Sequence, residues 1–335
     1  MAKKHGTSPG GRSAERPEII EAVRQADKAA GTDDEAFLRY LDEQMERLEN
    51  PAGALRSVGP GPSSRRLHVL NPDAPAKSFH ILKDPRYLKN ARALALRTQG
   101  SLRVIGGQEV PAGKFLDCVA VGSDDQWGCT GTLIGKNVVV TAGHCADFAT
   151  RVFFGQNVAK KGKVVRVKRR IRHPKYHTTA NNDLMVLILA ESVTIAPRSI
   201  ATKTQIDRAP DGRVVGFGHS DPFGRSGYGV KRQVDVPVAS PACQGKSDKH
   251  PDKMSYGCDP SLEIVAGRPM LAKDGCRGDS GGPFYIAGKT DDEWLLAGAT
   301  SRATKSAMHT CGDGGIYVRL DKYLDWITRI PGVRL

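Results

Sequence analysis

From residue 104 onward the apolar residues come in short, β-branched runs. They are Val119-Ala120-Val121, Val138-Val139-Val140, Val164-Val165, Met185-Val186-Leu187-Ile188-Leu189, Val214-Val215 and Ile316-Tyr317-Val318, with Gly, Asn, Asp and Pro between them. Runs too short for helices, interrupted this often by turn residues, predict many short strands in a sandwich or a pair of barrels. The final stretch, Leu320 to Ile330, changes period and predicts a helix with Tyr323, Leu324 and Ile327 on one face.

The first third reads differently. Pro17 opens a short apolar stripe of Ile19, Ile20, Val23 and Ala26 that ends before Gly31. Thr32 and Glu35 fit a capping box ahead of Phe37, Leu41, Met45 and Leu48. Residues 17–49 are therefore expected to form a helical hairpin, too small to bury much core alone. Residues 51–64, rich in Pro, Gly and Ser, read as a linker. A third helix is expected from Asp84-Pro85 to Arg97. The two parts also differ in cysteine: none of the seven precedes Cys118. An odd count leaves at least one thiol unpaired within the chain.

Composition excludes several classes. At 39% hydrophobic residues the chain can build a core, so low-complexity and collagen-like architectures drop out. No run approaches the ~18 apolar residues of a membrane-spanning helix. The formal net charge of +14 is spread over both parts, with 18 basic against 13 acidic residues in 1–103 and 32 against 23 after that. A basic tail does not explain it. Lys160-Lys161-Gly162-Lys163 and Arg166 to Arg172 form a basic stripe that would attract polyanions in a salt-dependent way. It lacks interleaved aromatics for base stacking, so a solvated face or a substrate-docking patch is favoured over nucleic-acid binding.

Three segments carry chemistry. A strand-like run ends in Thr141-Ala142-Gly143-His144-Cys145; Asn181-Asn182-Asp183 leads into another; and Gly278-Asp279-Ser280-Gly281-Gly282-Pro283 forms a glycine-rich turn. Singly, such a His is more often structural, such an Asp a cap, and such a Ser part of an ordinary turn. Together they supply a hydroxyl nucleophile, a base to take its proton and a carboxylate to orient that base. Gly278 would let backbone N–H groups approach a developing oxyanion.

These motifs, in this order, resemble the trypsin-like (chymotrypsin-fold) serine proteases, with Gly143 where that family more often has Ala. The resemblance runs through residues 104–335. It implies an all-β double six-stranded antiparallel β-barrel with a C-terminal helix; the small helical N-terminal region read from the residues above precedes it. It implies Ser280 as nucleophile, His144 as base, Asp183 as orienting carboxylate, and the N–H groups of Gly278 and Ser280 as oxyanion hole. It implies the disulfides Cys129–Cys145, Cys243–Cys258 and Cys276–Cys311, leaving Cys118 as a free thiol. Asp274, six residues before Ser280, falls at the floor of the specificity pocket and implies cleavage after Arg or Lys. Gly315 matches a pocket wall, and Ser301 and Ala303 its edge. Between them Arg302 departs from the family's usual Trp. With Arg277 also basic, a preference for acidic substrate residues beside the scissile bond is expected.

Arg103-Val104-Ile105-Gly106-Gly107 resembles the family's activation site. Cleavage after Arg103 would free the Val104 ammonium to pair with Asp279. Residues 1–103 would then be a propeptide or regulatory region, with residues 17–49 serving folding or inhibition. Recruitment of an activating protease is the alternative. An inactive protease-like binding module is the competing class for the whole chain, which the presence of all three triad residues disfavours. No cofactor or metal is implied. Three disulfides suit an oxidising compartment, secreted or periplasmic. No secretory-type stretch opens the sequence, so with Met1 as the start a cytoplasmic protein is expected.

Overall fold

The computed structural model describes residue 90 and residues 107–176, 181–220, 226–245, 252–267, 274–290, 292–305, 307 and 311–335. The expected helical hairpin at 17–49, the linker at 51–64 and the Arg103–Val104 bond lie outside the described residues. Of the expected third helix only Asn90 is described; it is helical, and its Nδ2 donates to Val238 O at 2.9 Å.

The chain forms two antiparallel barrels. After a two-residue strand β1 (Gln108–Glu109), the first barrel comprises β2 (Cys118–Gly122), β3 (Trp127–Gly135), β4 (Val138–Thr141), β5 (Arg151–Phe154), β6 (Lys163–Arg172) and β7 (Met185–Leu189). They close in the order β2-β3-β4-β7-β6-β5. The second comprises β8 (Asp211–Gly216), β9 (Arg232–Ser240), β10 (Glu263–Ala266), β11 (Pro283–Ala287), β12 (Trp294–Ala303) and β13 (Gly315–Arg319). Here the order is β9-β10-β13-β12-β11-β8, closed by β8 on β9, with β1 added along the first half of β9.

β2, β4 and β7 are apolar on both faces because both faces are covered. Val119 and Val121 of β2, Val139 of β4, and Met185, Leu187 and Leu189 of β7 belong to one cluster that fills the first barrel. Their neighbours in sequence, Cys118, Ala120, Val138, Val140, Val186 and Ile188, belong to another, which also holds Val215, Phe217, Tyr285 and Val318 of the second half. Alternation along each strand thus sends one set inward and the other into the seam between barrels. A buried polar link crosses the same seam: Asp117 accepts from Arg198 Nε at 3.0 Å and from the Tyr285 hydroxyl at 2.6 Å.

Short helices α1 (Lys203–Arg208), α2 (Asp252–Tyr256) and α3 (Leu324–Arg329) complete the described fold. α1 carries a full capping box from Thr202 and Gln205. The expected C-terminal helix begins instead as a 3-10 turn at Leu320–Lys322, and its buried face is Leu320, Tyr323, Ile327 and Ile330; Leu324 is exposed. No helix among the described residues is long and apolar enough to cross a membrane.

The basic run of Lys163–Arg172 is β6, with Val165 buried and Val167 and Ile171 half-buried. Several of its cations hold the protein's own surface. Lys163 pairs with Glu191 at 2.9 Å, Arg169 Nη1 donates to Pro331 O, Arg170 Nη1 donates to Ala146 O, and Arg172 lies over the Tyr176 ring.

Candidate active site

β4 delivers His144 to the seam. The strand ends at Thr141, whose hydroxyl donates to Thr130 O at 2.7 Å, and a 3-10 turn at Gly143–Cys145 lifts the imidazole out. The disulfide Cys129–Cys145 ties that turn to β3. A side chain at 143 would be tight: a Cβ there would stand 3.1 Å from the Tyr176 ring and 3.3 Å from Asp183 Oδ1.

Asp183 sits just ahead of β7 and is fully buried. Asn182 takes the left-handed conformation (φ 52°) that turns the chain into the strand; its Nδ2 donates to Lys175 O at 3.1 Å, and the Tyr323 hydroxyl donates to its Oδ1 at 3.0 Å. A buried carboxylate needs donors on its lone pairs, and Asp183 has three. Oδ1 accepts the His144 N–H at 2.9 Å; Oδ2 accepts from His144 Nδ1 at 2.8 Å and from Ser301 Oγ at 2.7 Å. Acceptance by a carboxylate places the imidazole proton on Nδ1 and leaves Nε2 as the basic nitrogen. The imidazole is 35% exposed while the carboxylate is closed off.

Ser280 lies on the turn between Cys276 and Pro283. Gly278 (φ +97°) and Gly281 (φ +78°) both occupy the left-handed region, and both are hemmed in by backbone. A Cβ on Gly278 would stand 2.8 Å from Gly218 Cα, and one on Gly281 2.3 Å from Ala142 N. The second approach brings the nucleophile turn against the end of β4, two residues before His144. Thr130 holds the turn from both sides. Its hydroxyl donates to Gly278 O at 2.8 Å, and its N–H donates to Ser280 O at 2.9 Å. Thr130 and Tyr317 were not singled out from sequence. Tyr317 had a signal, since it lies two residues beyond Gly315 on the same strand face.

Asp274 is half-buried as a residue, with its carboxyl enclosed. Oδ1 accepts the Gly275 N–H at 2.7 Å and the Tyr317 hydroxyl at 2.8 Å, and burial pushes its pKa up to about 7 despite those bonds. Gly315 lies against it: a Cβ there would stand 2.8 Å from Oδ1. Ser301 is buried; Ala303 at the end of β12 is half-buried. Asp279 is buried and accepts the N–H groups of Gly218 at 2.8 Å and Cys276 at 2.7 Å, and burial pushes its pKa up to about 6. It forms no ion pair with a described residue. Asp274, Asp279 and Gly107 line one small cavity together with Gly216, Gly218 and Gln233.

The cysteines pair as Cys129–Cys145, Cys243–Cys258 and Cys276–Cys311, and Cys118 is free and buried. Among the described residues the His/Cys group with metal-ligand proximity is Cys129, His144 and Cys145. Both of its thiols are in a disulfide. Arg277 is exposed. Arg302 differs from the sequence expectation of a cationic pocket edge, because its guanidinium faces the buried carboxylate of Glu263.

Two closed antiparallel barrels with a carboxylate-held histidine and a glycine-framed serine turn at their seam define a serine endopeptidase of the trypsin family. The Trypsin family model matches residues 104–327, and the chain belongs to that family. It is 31% identical to Trypsin 5G1 of Aedes aegypti over 71% of this chain and 88% of that protein. It is 30% identical to a chymase of Papio hamadryas over 68% of the chain and 90% of the relative. It is 32% identical to a trypsin of Saccharopolyspora erythraea over 66% and 95%.

Proposed function

We propose that this endopeptidase cleaves after Arg or Lys, using Ser280, His144 and Asp183, and that it is made as a zymogen opened after Arg103. The observation that carries the catalytic reading is the bonding around Asp183, which fixes the His144 tautomer and turns Nε2 outward. Nε2 would take the Ser280 proton as Oγ attacks the carbonyl carbon, then return it to the leaving amine. The Gly278 and Ser280 N–H groups would receive the developing oxyanion.

Asp274 supports the choice of basic side chains. A carboxyl that burial drives towards neutrality becomes a strong site for a cation that brings its own charge. Trypsins and chymases both occur among the relatives, so family membership does not by itself decide the residue before the scissile bond. The pocket carboxylate favours the basic one. Arg277 is the exposed cation left to meet an acidic flanking residue, since Arg302 faces inward.

Activation is supported by Asp279, buried without a cationic partner among the described residues. Gly107 borders the same cavity, three residues beyond Val104, and a three-residue segment spans ~10 Å at most. A Val104 ammonium released by cleavage would therefore have Asp279 within reach. Residues 1–103 would act as the propeptide, and protein substrates with accessible basic residues as partners.

Digestion of denatured proteins, with mass spectrometry of the new termini, tests this reading. Cleavage after Arg and Lys is expected, absent with Ser280→Ala. Cleavage after aromatic residues would refute the specificity, and an active Ser280→Ala variant the mechanism.

A further inference from the structure

Glu263 opens β10 and is 1% exposed, and burial pushes its pKa up. A carboxylate so placed is stable only if paired and hydrogen-bonded. Arg302 on β12 meets it with a fork, Nη1 to Oε1 at 2.7 Å and Nη2 to Oε2 at 2.8 Å. Both ends of the fork are anchored further. The Asp259 N–H donates to Glu263 Oε2 at 2.7 Å, and Arg302 Nη2 donates to Gly257 O at 2.9 Å. Two parallel charge-assisted bonds fix the guanidinium plane as well as its position.

That plane touches the active site. Arg302 Nη1 also reaches Ser301 Oγ at 3.2 Å. A hydroxyl has one proton and two lone pairs. With a guanidinium N–H on a lone pair, the Ser301 proton points away from Arg302, towards Asp183 Oδ2 at 2.7 Å. In a regular strand two successive side chains face opposite ways. Here the ladder between β12 and β13 slips between Thr300, opposite Tyr317, and Arg302, opposite Ile316. Ser301 is the extra residue of a bulge, a device that re-aims side chains. An unbroken chain of contacts then runs Glu263–Arg302–Ser301–Asp183–His144.

We propose that Arg302, clamped by Glu263, is a positioning residue of the catalytic centre: its guanidinium fixes the Ser301 hydroxyl as a donor to Asp183 and so holds the carboxylate that orients His144. This rests on the reading of His144, Asp183 and Ser280 as the triad. The Glu263–Arg302 pair is neutral as a whole and one hydroxyl away from Asp183. Neutralising Glu263 alone leaves a cation there, since a guanidinium does not lose its proton. That cation disfavours the His144 imidazolium. The other groups facing the centre are unaltered by the change. Tyr323 lies near both Glu263 and Asp183, and Asp259 near Glu263. Tyr176 faces Asp183, with Arg172 and Asp147 beside it, and Arg170 is bonded to Ala146 O.

The test is the pH dependence of inactivation of the active enzyme by a neutral aryl sulfonyl fluoride, which does not depend on Asp274 binding a cation. Its acid limb reports the base of the free enzyme. In Glu263→Gln the limb should move down by about half a pH unit. In the double variant Glu263→Gln/Arg302→Gln the limb should return to the wild-type position, while the plateau rate stays several-fold low because the Ser301 hydroxyl is no longer fixed. A purely structural role would lower the fraction of active enzyme without moving the limb. An unmoved limb in Glu263→Gln, or a wild-type plateau in the double variant, overturns the proposal. If Glu263→Gln does not fold, Arg302→Lys keeps the charge and loses the fork. Its limb should stay in place with a several-fold lower plateau, and a wild-type plateau overturns the proposal. Ser280→Ala should take no label; a label there would refute the triad reading instead.

Discussion

Asp274 offers the sharpest quantitative prediction. Its carboxyl is raised from an ordinary 3.8 to about 7 by burial, against the pull of the Tyr317 hydroxyl and the Gly275 N–H. Three pH units correspond to about 4 kcal/mol for ionising the empty pocket. A substrate Lys or Arg offsets that cost by supplying the counter-charge, whereas Gln does not. Loss of one member of a desolvated charge pair costs about 2–5 kcal/mol. Selectivity for Lys over Gln should therefore lie between about 30-fold and a few thousand-fold in kcat/KM at pH 8. Below about pH 7 the free pocket holds its proton, so the Lys substrate must displace it. The Lys/Gln ratio should then fall roughly tenfold per pH unit, and taking the ratio cancels the titration of His144, which both substrates share. Two peptide amides differing only at that residue, assayed from pH 5.5 to 8.5, give the measurement. In Asp274→Asn the ratio should be small and flat with pH. A flat ratio in the wild-type enzyme, or one surviving in Asp274→Asn, would refute the reasoning.

Three further perturbations follow from the geometry. Thr130→Val removes the hydroxyl that donates to Gly278 O; a lost bond of about 1 kcal/mol should lower kcat about five- to tenfold with little change in KM. Gly143→Ala places a methyl 3.1 Å from the Tyr176 ring, which should cost about 1–2 kcal/mol in urea unfolding. Arg103→Gln should yield, by intact mass, an uncleaved chain with little activity, and full activity would exclude activation at that bond.

The His and Ser turns and the Asp before β7 were legible because each is carried by a local motif, and the three disulfides followed from the family resemblance that those motifs carry. The strands were legible where both faces are apolar, as in β4 and β7. They were hidden where a strand is half solvated. The first half of β9 carries Arg232, Gln233 and Asp235, and it is held partly by the cross-strand pair of Arg213 with Asp235. Leu324 misled because the helix starts one 3-10 turn late, which rotates its buried face to Leu320, Tyr323 and Ile327. The Glu263–Arg302 pair had no local signal at all. Its partners are 39 residues apart, and only the bulge at Ser301 lets Arg302 face Glu263 while touching the Ser301 hydroxyl that donates to Asp183.

The central claim is that this trypsin-family enzyme acts through a Ser280 hydroxyl activated by His144. Labelling with a neutral fluorophosphonate, followed by peptide mapping, examines it directly. A single adduct on the Ser280 peptide is predicted, with loss of peptidase activity in step with labelling and no adduct in His144→Ala. Stoichiometric labelling elsewhere, or undiminished labelling in His144→Ala, would contradict it.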